Sequence, residues 1–223
     1  MKNIKILVII SFVFLFVGNS FSQIISEDAK RKVTIGADIF TDIWQGKPAD
    51  MELRTINQGF NIFAMYNFQL GDGGNSAFSV GLGIDNHNVY SNTRIESVNS
   101  DTLVFAPITE DYDRSKLNLT YGSVPLEFKF KFSNGMKLGA GFKIRYLISS
   151  KDKYVGNMEA EGGKINIKRK TISATEEYSY GFTLRAGYKS FSLFGYYQIS
   201  SIFQVNRGPQ MYPISVGLTI TPF

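Results

Sequence analysis

From residue 33 to residue 221, apolar side chains alternate with small or polar ones in one run after another. A period of two marks strands with a single greasy face. The pattern predicts strands at about 33–44, 57–70, 78–90, 117–132, 137–150, 178–188, 191–200 and 212–221. Their number is even, and most reach the ~9–11 residues that a tilted strand needs to cross a bilayer. The connections between them are 45–56, 71–77, 91–116, 133–136, 151–177, 189–190 and 201–211, with lengths of 12, 7, 26, 4, 27, 2 and 11 residues. Every odd-numbered connection is longer than every even-numbered one. The long loops therefore gather at one end, and the short turns and both termini at the other, as in an outer-membrane barrel.

The short turns also predict register. Gly71-Asp72-Gly73-Gly74-Asn75-Ser76 is a loop of breakers, Asn134-Gly135 is a dipeptide tolerant of positive φ, and Lys189-Ser190 leaves two residues between apolar runs. A two-residue turn at 189–190 sets Tyr188 opposite Phe191, Ala186 opposite Leu193 and Leu184 opposite Gly195. The apolar set must then switch from even to odd numbers. It does: Phe182, Leu184 and Tyr188 are followed by Phe191, Leu193 and Tyr197. After the fourth strand, the turn predicts partners whose numbers sum to about 270, with Phe128 facing Phe142 and Glu127 facing Lys143.

One face carries no charge in any strand, and the other mixes glycines with ions. Eight strands enclose room only for side chains or one small ligand. The small, glycine-rich face suits that interior and the bulky face suits lipid, where a Lys or Arg at the midplane costs ~2–4 kcal/mol. A soluble, lipocalin-like barrel would invert the two faces. Aromatics also collect near both strand ends: Phe68, Phe78, Phe130, Phe132, Tyr188 and Phe191 by the short turns, and Phe60, Tyr90, Tyr146 and Tyr178 by the long loops. The expected fold is all-β: an eight-stranded antiparallel up-and-down transmembrane β-barrel with a filled lumen.

Composition narrows the chemistry. Charged residues make up 19% and hydrophobic residues 43%, so the chain is neither disordered nor a helical membrane bundle. Zero cysteines exclude a disulfide scaffold, a thiol nucleophile, a thiolate metal site and a lipid-anchored cysteine, and a single histidine excludes a multi-histidine metal site. Lys2 and Lys5 precede a twelve-residue run, Ile6 to Val17, apolar except for Ser11, and Ser20-Phe21-Ser22 offers small residues for cleavage before Gln23. Twelve residues of helix rise about 18 Å, too little for a ~30 Å hydrocarbon core, so residues 1–22 read as a signal peptide. Residues 23–32 then form a short periplasmic segment, and 33–223 the barrel. The processed chain keeps 223 − 22 = 201 residues and, having lost two lysines, a net charge of +3. Its basic residues form no stripe, which excludes nucleic acid as a partner.

The ions of the inner face are the candidate site: Asp38, Asp85, Glu127, Lys129, Lys143, Arg145 and Arg185. They form either a packed plug of salt bridges or a gated path for small ions. Buried carboxylates need partners, and Glu127 with Lys143 is the expected pair. Arg185 faces Phe194 across the 189–190 turn and is placed to stack on it. His87 lies two residues from Asp85 on the same face, with Ser91 nearby in sequence, but one His beside one Asp is weak ground for a hydrolase. No catalytic residue, cofactor or metal is expected. Loop 91–116 is acidic and loop 151–177 is rich in both signs. Both read as solvated surface, able to bind a partner protein or bridge lipopolysaccharide phosphates. The Glu161-Gly162-Gly163-Lys164 stretch reads as a hairpin tip extending the fifth and sixth strands outward.

Three stretches carry a family resemblance: Val124-Pro125-Leu126-Glu127-Phe128, Gly141-Phe142-Lys143-Ile144-Arg145-Tyr146-Leu147, and Gly208-Pro209-Gln210-Met211-Tyr212-Pro213-Ile214-Ser215-Val216-Gly217-Leu218. With them, most of the processed chain resembles the PorT-like outer-membrane β-barrel family. The resemblance implies location and fold more firmly than activity. Some relatives take part in type IX secretion and gliding, which implies secretion or gliding proteins as partners. The last strand, ending in Phe223, looks like the assembly signal read by the barrel insertion machinery, although Pro222 puts Phe223 out of step with Ile220. The expected partners are thus outer-membrane lipid, lipopolysaccharide and that machinery. The expected role is structural, interactive or secretion-associated, without catalysis; the alternative is a small-solute pore or transporter.

Overall fold

The computed structural model describes residues 31–71, 73–158 and 163–222. The expected signal peptide and most of the expected segment after it lie outside the described residues, as do Asp72, the Glu161-Gly162 half of the expected hairpin tip and Phe223. Among the described residues there are eleven strands: β1 (Val33–Gln45), β2 (Gln58–Leu70), β3 (Ser76–Tyr90), β4 (Thr93–Ile95), β5 (Phe105–Pro107), β6 (Tyr112–Lys131), β7 (Met136–Met158), β8 (Gly163–Lys170), β9 (Tyr178–Tyr188), β10 (Phe191–Gln198) and β11 (Tyr212–Ile220). Eight of them pair antiparallel in the cyclic order β1, β2, β3, β6, β7, β9, β10, β11, and β11 returns to β1. The wall thus closes on itself without a free edge strand, which is what a sheet in lipid requires.

The apolar face points outward. Ile39 is 63% exposed, Leu82 72% and Leu193 66%, while Asp38 and Ser79 on the other face are fully buried. The turn at Lys189-Ser190 gives the predicted register, Tyr188 opposite Phe191 and Leu184 opposite Gly195, with Lys189 at a φ of 52°. Tyr146 and Tyr178 pack at 5.3 Å in the belt on the long-loop side.

The turn after β6 corrects the second predicted register. Gly135, at a φ of 87°, donates its N–H to the Phe132 carbonyl, and Phe132 in turn bonds Met136. This tight turn puts Lys131 opposite Lys137 and Phe128 opposite Ala140, not Phe142. A two-residue slip keeps each side chain on its face but changes its partner. Glu127 therefore faces Gly141, and Lys143 faces Pro125.

The long loops are also corrected. Strand β6 begins five residues before the predicted 117, and β7 runs eight beyond the predicted 150. β8 pairs with the outer half of β7 in the position that β9 occupies lower down, so a three-stranded blade stands above the wall. Connection 91–111 folds back as the β4–β5 hairpin. Loops read as solvated surface instead build a second core over the mouth: Met51, Ile95, Leu103, Ile172 and Phe203, drawn from all four long connections, are buried against Trp44, Leu119 and Tyr121. Backbone bonds tie loop to loop, Leu103 to Arg207, Ser173 to Val98 and Gln204 to Ala174.

Candidate functional site

Every strand sends alternate side chains into the lumen, and closure brings together ions far apart in sequence. They settle in three tiers. In the tier nearest the short turns, Arg185 on β9 donates from Nη2 to Asp38 on β1 at 2.7 Å, and its Nη1 meets Glu127 on β6. Asp38 also accepts from Asn61 at 2.7 Å and from Thr219 at 2.6 Å. The Arg185 guanidinium lies 4.9 Å from the Phe194 ring and 4.7 Å from Phe63. The middle tier is Lys143 on β7 with Asp85 on β3, at 2.7 Å. Glu127 and Lys143 are therefore not partners: the register slip carries Lys143 past Glu127, and each finds its counter-charge across the lumen.

The third tier lies under the cap. Asp42 on β1 accepts from Ser215 at 2.6 Å and holds His87 Nδ1 at 2.8 Å, while His87 Nε2 faces Arg145 Nη1. Arg145 also donates to Gln198 and, at 2.9 Å, to Ser179, with its guanidinium 4.5 Å from Tyr121 and 4.7 Å from Tyr196. This arrangement fixes the imidazole. Nδ1–H donates to Asp42, and Nε2 must keep its lone pair for the Arg145 N–H, which selects the neutral tautomer. A carboxylate orienting a histidine resembles the first half of a hydrolase site, but a guanidinium stands where the nucleophile would be. Ser91 bonds Thr93 instead.

Lys129 is the predicted site residue outside the tiers. It donates to Thr34 and Asn67, both at 3.2 Å, and makes no ion pair among the described residues. It lines a polar vestibule of about 470 Å³ at the short-turn end, with Arg31, Lys131 and Lys137. Among the described residues, no cluster of three or more His, Asp or Glu side chains is placed to hold a metal.

Sequence reasoning placed Phe194 inside, under Arg185, but missed Asp42, Gln198 and the other inward aromatics. Phe40, Phe63, Tyr121 and Tyr196 are, like Phe194, buried inside a lumen expected to be small and glycine-rich. The glycines are seats for these rings. Gly36 lies directly opposite Phe63 and Gly59 opposite Phe40, and a Cβ on either would stand 2.5 Å or less from the ring. Ring folded over glycine is a recurrent cross-strand device in curved sheets. The alternation of glycine and aromatic on the inner face was the available signal.

Two solved structures of similar overall shape are those of Ail, the attachment invasion locus protein of Yersinia pestis, one of them in complex with the heparin analogue sucrose octasulfate. They are 13% and 12% identical to this chain, cover 85% of it and 96% of their own chain, and give a TM-score of 0.41. Comparison with curated protein sequences finds no match. Residues 13–204 match the family model described as outer membrane protein beta-barrel domain; the chain belongs to that family and is a protein of the outer membrane.

Proposed function

We propose that this barrel is a non-conducting, non-catalytic outer-membrane protein that acts through its external surface, in a structural, interactive or secretion-associated role akin to that of PorT-like barrels. One observation carries the reading: the path from mouth to vestibule is interrupted at every height. The hydrophobic cap closes the outer end, and below it come the Asp42–His87–Arg145, Asp85–Lys143 and Asp38–Arg185–Glu127 tiers with the rings between them. Four lumen carboxylates face Lys129, Lys143, Arg145 and Arg185, so the interior is balanced in charge. A balanced, hydrogen-bonded network suits a plug better than a selective pore, whose walls carry an excess of one sign. Under this reading, partners meet the outside of the molecule: outer-membrane lipid and lipopolysaccharide, the insertion machinery during assembly, and secretion or gliding proteins at the loops. Single-channel recording of the folded protein in planar bilayers tests it. The expected trace is flat, and reproducible ohmic steps would reinstate the small-solute pore.

A further inference from the structure

The blade of β6, β7 and β8 bears an uncompensated cluster of cations on its outward face. Lys153 sits directly between Lys116 and Lys168 in register, and Lys151 lies between Asn118 and Lys170. No cross-strand partner of these five lysines is acidic, and none of the five forms an ion pair among the described residues. Lys164, farther out, is already occupied by Asp113 at 2.5 Å. Like charges set opposite one another destabilise a sheet. Partial burial, and then the charges of Lys116, Lys168, Lys151 and Arg114, hold the Lys153 ammonium below the ordinary lysine value. A cluster that works against its own sheet calls for counter-charge from outside the chain.

Its height indicates the source. The pairs Leu126–Phe142 and Asn118–Lys151 are eight ladder steps apart on β6. At about 3.3 Å per residue and a tilt near 40°, that raises Lys151 by about 20 Å above Phe142. Phe142 lies midway along the apolar band that runs from Leu138 to Ile148. Half a bilayer with its headgroups is about 20–22 Å, so the lysines stand at headgroup height.

We propose that Lys116, Lys151, Lys153, Lys168 and Lys170 bind the phosphates of a phosphorylated glycolipid of the outer leaflet. This deepens the lipid-partner part of the function proposed above. It is independent of conduction, so bilayer recording can refute the plug while leaving this site standing, and the reverse.

The test is equilibrium binding to the folded barrel in zwitterionic detergent, with three probes: bisphosphorylated lipid A, the same lipid after phosphatase treatment, and soluble inositol hexakisphosphate. The variant is Lys151→Gln, Lys153→Gln, Lys168→Gln, and its folding is verified by unchanged heat-modifiable mobility on gels. A lysine near an anionic lipid surface contributes roughly fivefold in affinity, so the triple variant is expected to bind bisphosphorylated lipid A roughly a hundredfold more weakly. Wild type should also prefer that lipid over its dephosphorylated form, and Lys131→Gln, Lys137→Gln at the opposite end should bind as wild type. Unchanged affinity in the triple variant would overturn the proposal. So would inositol hexakisphosphate binding as tightly as lipid A, because the site would then be one for soluble polyanions.

Discussion

Arg185→Met isolates the most connected ion in the lumen. The substitution keeps an unbranched side chain between Phe63 and Phe194 but removes a charge that holds two carboxylates. The two are not equally exposed to the loss. Asp38 retains Thr219 and Asn61, at 2.6 and 2.7 Å. Among the described residues, Glu127 keeps only Thr183, at a long 3.4 Å. Breaking one buried pair by deleting a partner costs about 3–5 kcal/mol, and here a single deletion strands two acids, which places the expected loss near 5 kcal/mol. Most of it is the cost of unpaired charge, so Arg185→Met combined with Asp38→Asn and Glu127→Gln should recover all but about 1–2 kcal/mol, the lost cation–π contacts included. Urea unfolding in phospholipid vesicles, read by the gel mobility of folded barrel, gives the global free energy. The fluorescence of Trp44, the one tryptophan, reports the cap separately. A single variant within 1 kcal/mol of wild type, or a triple variant no more stable than the single, would show that Arg185 is not what compensates these carboxylates.

Gly59→Ala, which drives a methyl to 2.1 Å from the Phe40 ring, should cost about 1–3 kcal/mol in the same assay, and a neutral outcome would mean the ring is not seated on that glycine. In the blade, Arg169 bonds the Ile95 and Glu96 carbonyls and Asp152, so Arg169→Ala should ease local opening of the cap by about 2–3 kcal/mol and expose connection 91–111 to external protease. Burial raises the Asp152 pKa, against the pull of its hydrogen bonds and charge pairing with Arg169. A raised folded pKa contributes stability that is complete below the unfolded value of 3.8 and lost as pH rises through the folded value, so wild-type cap stability should fall relative to Asp152→Asn over that rise, with Trp44 emission as the readout and the opposite trend as refutation. Deleting Ile148 should turn the blade's faces over, abolishing both the Arg169 clamp and lipid A binding while the barrel below still folds; retention of both would show that the blade rotates freely on the wall.

Much of the wall was legible because it depends on local facts. Alternation assigns faces, a two-residue turn assigns the parity switch between β9 and β10, and the length of each connection assigns its end. Partners across the lumen were not legible, because they depend on closure. Glu127 and Arg185 share no ladder position, and they meet only because the tilted wall brings β6 and β9 to one level inside the cylinder. The Glu127–Lys143 assignment failed on a single turn, where Gly135 tightens the chain by two residues. The cap was missed for a different reason. Its apolar residues, such as Met51, Ile95 and Leu103, are scattered singly through polar loops, with no period to betray them, and only contact between loops makes them a core.

One break in the alternation was visible and carries much of the external chemistry. Up to Tyr146, even-numbered residues of β7 face lipid; then Leu147 and Ile148 stand side by side, two apolar residues where the pattern permits one. The register moves there, from Tyr121–Leu147 to Thr120–Ser149, leaving Ile148 as a bulge that is 60% exposed. A bulge reverses the facing of everything beyond it. Without it, Lys151 and Lys153 would point into the capped mouth among Leu117, Leu119 and Ile172, where their charge would be unpaired, and Asp152 would point outward, away from Arg169. With it, the acid meets its clamp inside and the lysines stand outside at headgroup height. A single extra residue thus fits a blade that must satisfy two opposite environments onto a wall whose own alternation could satisfy only one.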